Sequence, residues 1–212
     1  MSGSKKVLTT KFIANVAVLG AVAFVLMLFD FPLLFIAPSF YKLDFSEVSV
    51  LIGGFAFGPW AAVLIEAIKI VLKLLFKPTQ TMFVGELANF CVGASLILPS
   101  SIIYIFNKTR KGALIGSIAG TITMTAFGSV FNAVYLLPKF AQLFGMDLSS
   151  IIGMGSTVNP AVSNIQTFAF MIVAPMNLLK GTLVSILTIV LYKKFSPVLK
   201  NGNAFREVNM AK

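Results

Sequence analysis

The sequence predicts an all-α integral membrane protein with six transmembrane helices and both termini in the cytoplasm, and three observations carry that fold class. The first is composition: of 212 residues, 58% are hydrophobic and 11% charged, with a mean hydropathy of +0.94. Soluble domains average about 45–50% apolar and about 25% charged residues. This chain therefore holds more apolar surface than one core can hide, and lipid is the solvent that accepts it. The second is that apolar stretches recur from Phe12 to Tyr192 with no long polar segment between them, so residues 1–212 are read as one membrane domain. The third is the placement of Lys and Arg in short flanks between those stretches. The net charge of +10 thus reads as loop topology, and the lack of a continuous basic stripe argues against a nucleic-acid partner.

The first span is expected over residues 12–29, near the minimum for crossing about 30 Å of hydrocarbon, and it ends at Asp30 and Pro32. No cleavage site followed by a polar mature region is seen, so this span is expected to stay uncleaved. The segment FDFPLLFIAPSFYKLDFSEV is too broken by prolines and charges for a helix in lipid, and is expected at the surface or folded back into the protein. Gly58 and Pro59 then divide an apolar run into a short span, 48–57, and a longer one, 60–76. After a turn at Lys77 to Thr81 come spans at 82–106, 113–137 and 165–192. The region 138–164 is rich in Gly, Ser and Asn, with an amphipathic patch from Phe140 to Phe144 expected in the interface.

Orientation follows from the cations. With six spans, one side collects Lys5, Lys6, Lys11, Lys108, Arg110, Lys111, Lys193, Lys194, Lys200, Arg206 and Lys212, which is 11 of the 17 basic residues. The other side has Lys42, Lys77 and Lys139. The positive-inside rule places the richer side, with both termini, in the cytoplasm.

A single cysteine, Cys91, and the absence of histidine leave no internal disulfide, no zinc or haem site and no Ser-His-Asp or Cys-His nucleophile. No catalytic or metal-binding residue is assigned, and a membrane enzyme is the weakest of the readings. No GxxxxGK[ST] loop occurs, so active uptake by this chain would need an ATPase partner or an ion gradient.

Ionisable residues inside spans cost about 2.5–3.5 kcal/mol each at a helix centre and need a partner, a route to the interface or a function. Lys73 is four residues from Lys77 and is expected to snorkel to the outer surface. Glu66 and Lys69, three apart, are expected to form an internal ion pair. Lys180 is 13 residues from Lys193, about 20 Å from the inner boundary at 1.5 Å per residue, so it cannot snorkel inward. Asn177 lies one turn away on the same face. Asn132 and Tyr135 on the fifth span, and Glu86 and Asn89 on the fourth, form two more polar pairs in the outer half. Together these three helices place donors and acceptors at overlapping depth, as a pocket open to the outside requires. The loop bearing Tyr41, Lys42 and Asp44 is positioned to cover it. Gly112, Gly116 and Gly120, and likewise Gly54 and Gly58, are expected to serve helix packing. Ala17 and Ala21 make another small face on the first span, where internal packing and docking of another subunit are equally compatible with the sequence.

The blocks FYKLDFSEVSVLIGGFAFGPWAAVLIEAIKIVLKLL, VGELANFCVG, FNAVYLLP and APMNLLKG resemble the riboflavin-specific substrate-binding subunits of energy-coupling factor (ECF) vitamin importers, from the first span to Lys193. The resemblance implies a multi-pass protein of the bacterial plasma membrane with six helices and both termini inside. It implies that riboflavin, as transported ligand and not as cofactor, is captured from outside by the first loop with the fourth to sixth helices. It further implies that an AxxxA motif, here Ala17 and Ala21, docks a transmembrane coupling subunit, while two cytosolic ATPases drive a cycle in which the binding subunit topples. An isoalloxazine ring needs apolar walls, a few amides and a cation. Asn132, Asn177 and Lys180 suit its polar edge; Glu86, Asn89, Lys42 and Asp44 suit the ribityl hydroxyls; Tyr135 belongs to the same polar patch. Two competing readings are flavin mononucleotide as preferred ligand, held by Lys42, Lys77 and Lys139, and a self-sufficient proton-coupled carrier titrating at Glu66 or Glu86. Inverted repeats, a signature of many such carriers, are not apparent.

Overall fold

The computed structural model describes residues 9–200, with side chains through residue 192. Seven of the basic residues behind the orientation argument, Lys5, Lys6, Lys193, Lys194, Lys200, Arg206 and Lys212, therefore lie outside the described side chains.

Helix α1 (Thr10–Leu28) starts where the Thr9 hydroxyl accepts a hydrogen bond from the Phe12 N–H at 3.2 Å, a side-chain cap for an otherwise orphaned donor. It buries only Val16, Gly20 and Ala23. Gly20 rests on Ile68, where an added Cβ would come within 2.5 Å of the Ile68 side chain, so the missing side chain lets α1 lean on the third helix. The loop that follows contains an antiparallel pair, β1 (Phe31–Pro32) and β2 (Lys42–Leu43), with Phe31 opposite Leu43. The purely helical expectation missed this two-residue ladder.

Helix α2 (Ser46–Phe57) is buried along its whole length except for Phe57. Gly58, at φ 98°, ends it in a backbone conformation that other residues rarely adopt. Pro59 starts α3 (Pro59–Phe76), so the expected Gly58–Pro59 break is real, and Gly58 serves the turn and not a packing seam. Helix α4 (Val84–Phe106) follows a turn in which Met82 and Phe83 both take positive φ. Helix α5 (Arg110–Phe131) packs closely on α4 because Gly116 faces the Ser100 carbonyl at 2.6 Å from where a Cβ would be, with Gly120 over Leu96 one turn on. Gly112 instead faces Asn107 of its own connecting turn.

The last two long segments depart from the expected boundaries for one physical reason. A π-turn at Asn132–Leu136 joins α5 to α6 (Leu137–Phe144), and a second at Ala169–Val173 joins α8 (Ile165–Phe168) to α9 (Ala174–Lys200). Each closes by an i→i−5 bond, Leu137 to Asn132 and Ala174 to Ala169, and each is followed at once by a proline, Pro138 or Pro175. A proline ring clashes with the carbonyl four residues back; a wider turn relieves that clash and lets the helix continue. The fifth segment thus runs unbroken from Arg110 to Phe144, not to residue 137, and the expected interfacial patch is its end. Between it and α8 lies α7 (Leu148–Ser156), a helix that the Gly-, Ser- and Asn-rich composition of this region does not predict.

Four helical segments among the described residues are long and apolar enough to cross a membrane: Thr10–Leu28, Val84–Phe106, Arg110–Phe144 and Ile165–Tyr192. Helix α2 has only 12 residues and α3 carries Glu66, Lys69 and Lys73. The outer surface is apolar, with Val18 62%, Trp60 81%, Ile122 61%, Val134 75% and Phe170 76% exposed, as a lipid-facing surface should be. One end of the bundle is closed by rings: Phe12 on Phe57, and Phe55, Tyr104 and Tyr192 in mutual contact. The first loop, the α3–α4 turn and the α5–α6 junction gather at the other end.

Candidate functional site

That second end encloses a cavity of about 300 Å³, at the lower limit of ordinary small-molecule sites. Its walls come from the end of α1, the first loop, α3, α4, α5 and α9. Seven of the eight ligand-binding residues expected from the sequence line it: Lys42, Asp44, Glu86, Asn89, Asn132, Asn177 and Lys180. Tyr135 does not. It is 38% exposed and stacks on Phe131 with centroids 5.3 Å apart. The expectation that Asn132 and Tyr135 share a face assumed a regular α-helix. In a turn closed i→i−5, residues three apart diverge, so Asn132 turns inward and Tyr135 outward.

Lys180 meets two carboxylates: its Nζ is 2.9 Å from Asp44 Oδ2 and 3.3 Å from Glu47 Oε1. These contacts tie the first loop and the start of α2 to the second turn of α9. Ser46 braces the knot, its N–H and hydroxyl donating to Asp44 and its hydroxyl also lying within bonding distance of Glu47. Beneath it, Lys69 Nζ lies 2.7 Å from Glu66 Oε1 and 3.4 Å from Glu47 Oε1, with all three side chains essentially inaccessible. The expected Glu66–Lys69 ion pair is therefore present, within a larger group. Burial opposes the charge on Asp44, but the Lys180 and Lys69 ammoniums and the Ser46 hydroxyl hold its carboxyl well below the usual range. Glu47 was missed because it falls at the edge of an expected span, among residues read as loop; its i, i+3 spacing from Asp44 was the available signal.

Lys73 corrects another expectation. Its ammonium does not run to the outer surface but pairs with Glu86 on the neighbouring helix, and Glu86 also accepts hydrogen bonds from the Thr79 and Thr81 hydroxyls at 2.9 and 3.1 Å. Distance along one helix predicts snorkelling; the stronger attraction is an acid on the next. At the rim, Lys42 pairs with Asp30 at 3.0 Å. Lys77 lines the cavity, whereas Lys139 is outside it and bonded to Gln142 at 2.8 Å.

The cavity's amides are unequally used. Asn132 is satisfied, accepting from the Tyr41 hydroxyl at 2.5 Å and donating to the Gly128 carbonyl at 2.7 Å. Burial pushes the Tyr41 hydroxyl up, keeping it a donor. Asn177 Nδ2 and Asn89 Oδ1, by contrast, are buried with no hydrogen-bond partner among the described residues. A buried amide donor and acceptor left open cost about 1–3 kcal/mol each, and both belong to residues that line the cavity, where a polar molecule could meet them. Apolar walls are supplied by Met27, Phe40, Val92, Met124, Phe140 and Met176. Ala17 and Ala21 lie elsewhere, both exposed on the outer face of α1 while Val16 and Gly20 are buried. Internal packing therefore does not account for this alanine face.

The chain matches the family model for the substrate-specific component of ECF transporters over residues 11–192. It is 33% identical over 202 residues to the riboflavin transporter RibU of Staphylococcus aureus, covering 94% of this chain and 99% of that protein. It is 30% identical over 190 residues to the riboflavin transporter FmnP of Bacillus subtilis, covering 88% and 93% respectively. A solved S component of a bacterial ECF transporter superposes with a TM-score of 0.67 at 33% identity, over 90% of this chain and 98% of that one.

Proposed function

We propose that this chain, which belongs to the family of ECF-transporter substrate-specific components, captures riboflavin in the cavity described above and delivers it through a partner-driven importer. It is a transport protein and not an enzyme. The observation that carries the ligand assignment is the pairing of two open amide groups, Asn177 Nδ2 and Asn89 Oδ1, with apolar walls and the Lys180 ammonium. Riboflavin has the matching parts: a flat apolar ring system, a pyrimidine edge of acceptors with one N–H, and a chain of hydroxyls. The relatives named for riboflavin transport support the same ligand. Against flavin mononucleotide, whose phosphate would favour two or more cations, Lys42 is already matched by Asp30 and Lys139 stands outside the cavity, which leaves only Lys77 of the three expected.

In this reading the chain crosses the membrane six times, α2 completing a short crossing inside the bundle, with the termini cytoplasmic and the cavity facing outward. A transmembrane coupling subunit and two cytosolic ATPases supply the energy. Reconstitution tests this. Vesicles carrying this chain alone should accumulate no riboflavin, with or without a proton gradient, whereas vesicles carrying the coupling subunit and both ATPases as well should accumulate it with ATP. Accumulation by the chain alone under a proton gradient would make it a self-sufficient carrier.

A further inference from the structure

Beneath the cavity the charges do not balance. Asp44, Glu47, Glu66, Lys69 and Lys180 form one ion-paired group of three carboxylates and two ammoniums, all buried. The Lys73–Glu86 and Lys42–Asp30 pairs are separate and neutral. One uncompensated negative charge in a membrane bundle costs several kcal/mol, and a bound proton removes it. Geometry says where the proton sits. Asp44 takes the Ser46 N–H, the Ser46 hydroxyl and Lys180; Glu47 lies within reach of both ammoniums. Glu66, fully buried, has only Lys69, placed 2.7 Å from Oε1 without hydrogen-bond geometry, and its Oε2 has no partner among the described residues. A carboxylic O–H belongs on that open oxygen.

The same carboxyl lies just under the cavity floor. Gly93 of α4 lines the cavity, and a Cβ there would stand 2.6 Å from Glu66 Oε1 and 3.2 Å from Glu47 Oε1. Only a glycine separates the acid from whatever fills the cavity. The groups facing Glu66 are Lys69 on its own helix, Asp44 and Glu47 from the first loop and α2, and Lys180 from α9. Helix α4 contributes Gly93, and α1 has no charged residue except Lys11 in its first turn, at the far end. We infer that Glu66 is a proton-binding site linked to the ligand cavity, so that ligand and proton bind together. Water in the cavity screens the uncompensated charge through the thin wall at Gly93; an apolar ring in its place does not, and the neutral acid is then the favoured form. By linkage, the ligand-bound protein carries more protons than the free one, so affinity falls as pH rises.

The inference takes riboflavin as the ligand from the function proposed above, and its test separates the two. Riboflavin binding is measured calorimetrically at one alkaline pH in buffers of different ionisation enthalpy. The expected result is net uptake of protons, up to about one per riboflavin, and a dissociation constant that rises by up to about tenfold per pH unit. The isosteric Glu66→Gln variant should bind as the wild type does at acid pH and lose both the uptake and the pH dependence. Infrared spectra of the protein alone provide a readout without riboflavin: a protonated-carboxyl band present in wild type should vanish in Glu66→Gln. Failure of riboflavin to bind while this band behaves as stated would overturn the ligand and keep the proton site. Binding without proton uptake, dependence on sodium in place of pH, or a band that persists in Glu66→Gln would overturn the inference.

Discussion

Lys180→Met lowers riboflavin affinity on the order of a hundredfold, and it also weakens the protein. Two losses combine. The ligand loses a charged donor, worth about 1.5–3 kcal/mol, or roughly ten- to hundredfold in affinity. Asp44 and Glu47 lose the ammonium that lies 2.9 and 3.3 Å from them, and removing one partner of a buried pair costs about 3–5 kcal/mol because the other charge remains. The second loss releases the first loop from α9, which places the effect at the upper end of the range. A Lys180→Met/Asp44→Asn double variant removes the stranded charge and should regain most of the stability but not the affinity. Fluorescence titration and thermal unfolding of both variants check this. Unchanged affinity in Lys180→Met would make Lys180 a structural tie and nothing more.

Replacing Ala17 or Ala21 with Trp abolishes transport and leaves riboflavin binding intact. Both alanines are exposed on α1, among side chains such as Ile13, Val18 and Val25 that are about half exposed or more. A large ring there meets lipid in the isolated chain and disturbs no internal contact. In the complex it would separate two helices that are held by van der Waals packing, since apolar helices gain no hydrophobic drive from leaving lipid. The cavity draws only on Met27 and Leu28 from this helix, at its other end. Binding and uptake measured on the same variants decide the matter: a joint loss would assign the face to the subunit's own stability, and no loss of either would place the docking surface elsewhere.

The four long apolar segments were legible because lipid imposes a length and a composition on a crossing helix, and the Gly58–Pro59 break because those two residues have little conformational choice. The π-turns escape an assumed 3.6-residue period, yet Pro138 and Pro175 mark both of them. That one assumption misplaced the end of the fifth span and the direction of Tyr135. Depth along a single helix sufficed to bring Asn132, Asn177, Lys180, Glu86 and Asn89 to a common level. It could not say which acid would meet which base, because Lys73–Glu86 and Lys180–Glu47 join residues 13 and 133 positions apart. Pairings of that kind depend on how the helices pack, which a hydropathy pattern leaves open.

The central claim, that this cavity holds riboflavin, is tested most directly by titrating the purified wild-type chain, with no partner subunit present, against riboflavin and following the vitamin's fluorescence. The predicted result is quenching that saturates at a single riboflavin per chain and reverses when the protein is unfolded. Fluorescence that stays at the level of free riboflavin across the titration, in protein shown to be folded, would contradict it.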